Sequence, residues 1–233
     1  MRRWAGRGTS EHRAARMAKK LTLIKPGVVP YPQAVELQRE ILEKRIAGQT
    51  GDTLILLEHP PTITTGRRGS LSNLTADAEF LKKRGVHIEP STGRGGDITF
   101  HGPGQIVGYP IIGIKNRKGG VSGYVRSLEE VVIRCLADFD ISARRIEKLT
   151  GVWVKRSKIA SIGVGVRRWV TWHGFALNVN TDLSWFETMT PCGIPQVRMT
   201  SIKDWTQSAE DIEMEAARAA LVRHFSDVFG YGG

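Results

Sequence analysis

Residues 158–179 read KIASIGVGVRRWVTWHGFALNV. The apolar runs at 158–166 and 169–179 have strand character and meet across Arg167-Arg168, which predicts a hairpin. Side chains alternate faces along a strand, so Lys158, Ala160, Ile162, Val164 and Val166 should share one face. Ser161, Gly163 and Gly165 should share the other, and Gly174, Ala176 and Asn178 line one face of the second strand. Side chains this small either leave space over a sheet for a linear ligand or mark bulges and close packing. A hairpin interrupts what is otherwise an alternation of strands and helices. The chain should therefore be α/β (α+β), with a mixed central β-sheet and helices packed on it.

Upstream, residues 31–48 carry apolar side chains at helical spacing, and the buried run 53–58 reads as a strand before Pro60-Pro61. A basic Gly/Ser-containing loop at 66–73 leads to a short helix at 76–84, a strand at 86–89 and a glycine-rich loop at 91–96. Strands at 98–100 and 105–112 flank Gly102-Pro103-Gly104-Gln105, whose central Pro-Gly suits a type II turn. Val121, Val125, Leu128, Val132, Cys135, Leu136 and Phe139 place a helix at 121–139, followed by a strand at 152–154. A last helix should start at Ser208, with Asp211 as its capping-box partner, and stop before Gly230.

The chain has 233 residues, 40% of them hydrophobic and 24% charged, which is enough apolar content for a packed core. Its net charge of +11 is uneven. Residues 1–20 hold seven basic side chains against Glu11, or +6, leaving +5 for residues 21–233. We read 1–20 as a disordered basic extension or an over-long start with Met17 as initiator, an organellar transit peptide, or a basic arm touching nucleic acid, and 21–233 as one domain. The mildly basic body gives little support for nucleic-acid binding, and no segment is long and apolar enough to suggest a membrane span. Two cysteines cannot form a disulfide framework, so a cytoplasmic location is expected, or a mitochondrial one if the leader is a transit peptide.

Cys192 lies in Met189-Thr190-Pro191-Cys192-Gly193-Ile194, where Pro191 and Gly193 favour a sharp loop. Cys135, on an apolar helical stripe, reads instead as buried and inert. A thiol with its ordinary pKa of about 8.5 needs a partner to act as a nucleophile at neutral pH. His59, His101, His173 and Lys158 are the candidates. The lysine, which opens an apolar strand face, is either snorkelling at the strand end or desolvated, and only the second lets it take the thiol proton. Strict alternation separates Lys158 from the small-residue face, so a bulge or a later strand start is needed to bring both to one site. The stretch Arg94-Gly95-Gly96-Asp97-Ile98-Thr99-Phe100-His101-Gly102-Pro103-Gly104 offers free amides, a cation and an imidazole to hold a carbonyl or phosphate. It lacks the Gly-Lys-Ser/Thr of a P-loop, and no His or Cys pair has metal-ligand spacing.

In order, Arg94-Gly95-Gly96 through His101-Gly102-Pro103-Gly104-Gln105, then Lys158-Ile159-Ala160-Ser161-Ile162-Gly163, His173-Gly174-Phe175-Ala176-Leu177-Asn178 and Pro191-Cys192-Gly193-Ile194, resemble the lipoyl(octanoyl) transferase family. The likeness covers about residues 21–205; Asp97 and Phe100 stand where that family varies. It implies a fold like the catalytic domain of biotin and lipoate protein ligases. It also implies transfer of octanoyl from the phosphopantetheine of acyl carrier protein to a lysine of a lipoyl domain. The lipoyl domains would be those of 2-oxoacid dehydrogenase complexes and the glycine cleavage H protein. Carried over by motif, Cys192 is the nucleophile and Lys158 lowers its pKa. Arg94 to His101, Ser161 to Gly163, and Gly174, Phe175 and Ala176 contact substrate, with no metal or nucleotide cofactor. Backbone amides near Gly163 are the expected oxyanion donors. The alternatives are an ATP-dependent lipoate or biotin ligase of the same fold and, remotely, a basic nucleic-acid-binding domain.

Overall fold

In the computed structural model, residues 19–190, 197–206 and 210–232 are described. The hairpin at the centre of the sequence is also the centre of the sheet. Strands β1 (Leu21–Val28), β2 (Asp52–Glu58), β6 (Gln105–Ile111), β7 (Arg144–Ile146), β8 (Leu149–Val154), β9 (Ser157–Arg167) and β10 (Val170–Asn178) lie in the order β1-β2-β6-β10-β9-β8-β7. β1 runs parallel to β2, and the other neighbours in this order are antiparallel. The short β11 (Arg198–Met199) adds a parallel pairing to β9, so the sheet is mixed as expected. The β9–β10 turn places Arg168 and Trp169 at positive φ, as a two-residue hairpin whose twist matches its strands requires. A second sheet, in the order β4 (His87–Glu89), β3 (Thr62–Thr65), β5 (Ile98–His101), stands beside it.

The period-two rule assigns the layers. On β2, Leu54 and Leu56 enter one apolar core, while Ile55 and Leu57 enter another on the opposite face. Helices α3 (Gly120–Ala137) and α4 (Met214–Phe229) cover the first face; α1 (Tyr31–Ile46) covers the second. The remaining helix, α2 (Ala78–Lys83), starts on an Asp77 cap and packs Leu81 into a third core under the small sheet. Among the described residues no helix is long and apolar enough to cross a membrane.

The 102–105 turn is type II, with Gly104 at φ +77° and the Gln105 amide donating to Gly102 O at 3.2 Å. The last helix departs from expectation at its start. It begins at Met214, not Ser208, which lies outside the described residues. Asn180 clamps Ile212 by both its amide (2.9 Å) and carbonyl (2.7 Å), holding that segment out of helical geometry. The helix ends as expected, on Gly230 in the left-handed region.

Candidate active site

β9 decides where the chemistry sits. Val152 pairs with Ala160, but the next residue on β8, Trp153, pairs with Lys158, so Ile159 is an extra residue against β8. This is a β-bulge, and it reverses the alternation: Ala160 shares the face of Val152, and Lys158 that of Trp153. Lys158 thereby joins the side of Ser161 and Gly163, which simple alternation denies it. Its side chain is buried, with Nζ 5.6 Å from the Trp153 ring centroid. On its other side the strand is held by β11, where Met199 pairs with Lys158 and the Thr200 amide donates to Lys158 O.

The glycine-rich loop lies directly over this strand. The Gly95 amide donates to Val164 O at 2.9 Å, and a Cβ on Gly163 would stand 2.6 Å from Gly95 O. Gly163 is thus small because the loop lies on it, and Gly165 because the Trp172 indole does. Arg94 is buried and points away from solvent, donating to Thr64 O at 2.7 Å, to Thr64 Oγ1 and to Gly95 O. The Arg67 amide in turn donates to Arg94 O. A segment that reads as flexible from its glycines is pinned on both sides.

Beside Arg94 sits a buried ring cluster. His59 donates from Nδ1 to Val29 O at 2.6 Å, leaving Nε2 to accept from the Tyr109 hydroxyl at 2.7 Å. His101 stacks 6.1 Å from Tyr31, with Nδ1 donating to Gln105 Oε1 at 2.8 Å. His173 has φ +53°, which swings its ring onto the side of Trp172, 4.0 Å away, although the two are consecutive in a strand. An unfavourable backbone at a cavity wall is the kind of strain that accompanies function. Burial depresses the imidazoles of His59 to about 4 and His173 to about 3, and holds His101 well below the usual histidine range. All three are neutral at pH 7.

These elements enclose a cavity of about 710 Å³. It brings together Lys158, Ser161, Ile162, Gly163, Gly174, Phe175 and Ala176 with Arg94, Gly95, Gly96, Asp97, Ile98, Thr99 and His101. Of the substrate residues expected from sequence, Phe100 is the exception. It turns to the opposite side of β5, into the third core between Trp185 and Phe186. Ser161 Oγ is buried at the wall with no hydrogen-bond partner among the described residues, a polar atom available to a ligand. Sequence reasoning missed Tyr31, Tyr109 and Lys148 as lining residues; the two tyrosines fell inside the expected helix at 31–48 and strand at 105–112, with no signal of their own. Arg67 and Arg68, seen only as part of a basic loop, form its exposed rim. Cys192 lies outside the described residues, as do Pro191, Gly193 and Ile194. Among described residues, no group of three His, Cys, Asp or Glu side chains could hold a metal ion.

The sequence profile of the lipoyl protein ligase A/B catalytic domain matches residues 30–226. The chain is 48% identical over 225 residues to an octanoyltransferase of Rubrobacter xylanophilus, covering 96% of this chain and 98% of that protein. It is 46% identical over 205 residues to one from Solibacter usitatus, covering 88% and 91% respectively. By structure it resembles a bi-partite lipoate protein ligase of Thermoplasma acidophilum at TM-score 0.70 and 19% identity, over 91% of this chain and 84% of that one. The biotin protein ligase of Aquifex aeolicus follows at TM-score 0.51 and 13% identity, over 91% and 69%. The two structural matches speak to fold alone.

Proposed function

Because the chain belongs to the lipoyl protein ligase A/B catalytic-domain family, and within it to the octanoyltransferases, we propose that it moves octanoyl from acyl carrier protein to a lysine of a lipoyl domain. The observation that carries this reading is the cavity shared by Lys158, Ser161 and the Arg94–Gly96 loop. Lys158 takes the proton of the Cys192 thiol, and the thiolate attacks the octanoyl thioester carbonyl. The tetrahedral adduct collapses, the phosphopantetheine sulfur leaves with the proton from Lys158, and octanoyl stays on Cys192. The ε-amine of the lipoyl domain then attacks this second thioester. It loses a proton to the site and departs as an amide, restoring the thiolate.

Exchange between two thioesters is close to balanced and amide formation is downhill, so the cycle needs no ATP, metal or other cofactor. This separates it from a lipoate or biotin ligase, which must activate a free acid. Relatives at 41–48% identity carry the name octanoyltransferase, which favours the transferase. Both carriers are acidic as a class, which suits the exposed Arg67, Arg68 and Lys148 at the rim. The reaction would run in the cytoplasm, or in mitochondria if residues 1–20 serve as a transit peptide.

Intact-protein mass spectrometry after incubation with octanoyl carrier protein, without ATP, tests the scheme. One octanoyl group is expected on wild type and on Cys135→Ser, and none on Cys192→Ser. Octanoyl at the wild-type level on Cys192→Ser ends the covalent route; acylation that appears only with ATP returns the ligase reading.

A further inference from the structure

The bulge that turns Lys158 into the cavity has a support on another element. Glu129 lies on α3 with no exposed surface, in the middle of the apolar stripe formed by Leu128, Val131 and Val132. A carboxylate there is costly unless its oxygens are satisfied. Oε2 accepts from Arg126 at 2.8 Å and Arg145 at 3.1 Å; Oε1 is spent on the backbone amide of Gly151 at 3.1 Å.

Gly151 sits on β8 beside the bulge, at φ +126°, a conformation that favours glycine. A Cβ at this position would lie 2.5 Å from Lys158 Cε, 3.2 Å from its Nζ and 2.6 Å from Ala160 O. The lysine stem therefore passes through the space that the missing side chain leaves. The anchored amide, the glycine conformation and the course of the lysine form one connected joint.

We propose that Glu129 is a positioning residue for Lys158: by holding the Gly151 amide it fixes the β8–β9 bulge, so that the Lys158 amine enters the cavity in one place. This rests on the reading of Lys158 as the group that activates Cys192. The charged groups on the surrounding elements are Arg126, Glu129, Glu130 and Arg134 of α3, Arg144 and Arg145 of β7, Glu147 and Lys148 in the β7–β8 turn, Lys155 and Arg156 in the β8–β9 turn, and Arg198 of β11. Arg67, Arg68, Arg94 and Asp97 line the same cavity. Of all these, Glu129 is the one whose side chain bonds the glycine under the lysine stem.

The test is the pH profile of Cys192 alkylation by iodoacetamide in the full chain, read by peptide mass. Cys135 stays silent, because burial pushes its thiol up to about 12. Glu129→Met removes the acceptor at similar volume and leaves its two arginines able to reach water, while Glu129→Gln keeps an acceptor oxygen. Gly151→Ala obstructs the lysine directly without touching Glu129. Lys158→Ala is run alongside to measure what the amine itself does. Glu129→Met and Gly151→Ala should move the profile up towards that of Lys158→Ala. Alkylation at pH 7 should fall at least about tenfold, short of the ~10²-fold that ångström-scale misplacement can cost. Glu129→Gln should stay close to wild type. If Lys158→Ala shifts the profile but Glu129→Met and Gly151→Ala do not, the positioning role is wrong. Equal shifts in Glu129→Met and Glu129→Gln overturn it too, because the acceptor oxygen would then be irrelevant. If Lys158→Ala itself leaves the profile unmoved, the fault lies in the reading of Lys158.

Discussion

Acidification from pH 7 to pH 5 should strip stability from this protein through the imidazoles buried at and behind its cavity wall. In the fold His59 is held at about 4 and His173 at about 3 by burial, against about 6.5 in an unfolded chain. Between those values the unfolded chain binds protons that the folded one refuses, so stability falls as pH falls. The contribution is fully present above pH 6.5 and is lost progressively down to the folded values. At pH 5 each ring has cost about 2 kcal/mol, or on the order of 4 kcal/mol for the pair. His101, also depressed by burial, adds in the same direction. A domain holds roughly 5–15 kcal/mol in all, so the loss is a large share of it. Urea unfolding at half-unit steps from pH 7 to 5 measures the slope above the range where ordinary carboxylates titrate. His173→Asn should remove about 1.4 kcal/mol per pH unit from that slope below pH 6. A flat profile from pH 6.5 to 5, or an unchanged slope in His173→Asn, would show that these rings meet water or charge in the fold, contrary to the packing described.

Two further substitutions separate the site from its support. Gly163→Ala places a methyl 2.6 Å from Gly95 O, so the Arg94 loop must lift; about 1–3 kcal/mol of stability is expected to go, with octanoyl transfer falling about 10²-fold, and wild-type kcat/KM would contradict the close stacking. Phe100→Ala, in a ring cluster away from the cavity, should cost about 3–5 kcal/mol by urea unfolding while leaving the KM for octanoyl carrier within about twofold in the folded fraction; a large KM rise would put Phe100 back in the substrate site.

The layers were legible because they obey short periods. Apolar spacing located the long helix now seen at Gly120–Ala137, and Pro-Gly dictated the turn at 102–105. Elements that escaped owe their existence to partners distant in sequence. β1, LTLIKPGV, is mostly exposed along an edge and contains Pro26 and Gly27, so no alternation marks it; it forms because β2 offers a parallel neighbour. β3 is four residues between Pro61 and Gly66, ordered by pairing on both sides. The start of α4 is set by Asn180, thirty-two residues before Ile212, a clamp that no local capping signal encodes.

The site was legible by residue type but not by register. Types fixed the candidates: an amine opening an apolar strand, small residues on the facing side, an Arg-Gly-Gly turn. Yet a strand has only two faces, and one extra residue exchanges them, so the parity of Lys158 depended on whether β8 accommodated Ile159. That accommodation is decided by Gly151, which sits in left-handed-favouring backbone under a carboxylate from α3. The glycines of the small-residue face follow the same logic. From sequence Gly163 and Gly165 fitted either open space or close packing; neighbours occupy both positions, and the room for a substrate comes from the loop being held at a fixed height above β9. The cavity is therefore a product of tight packing around it. Substitutions that loosen that packing should harm transfer before they harm folding.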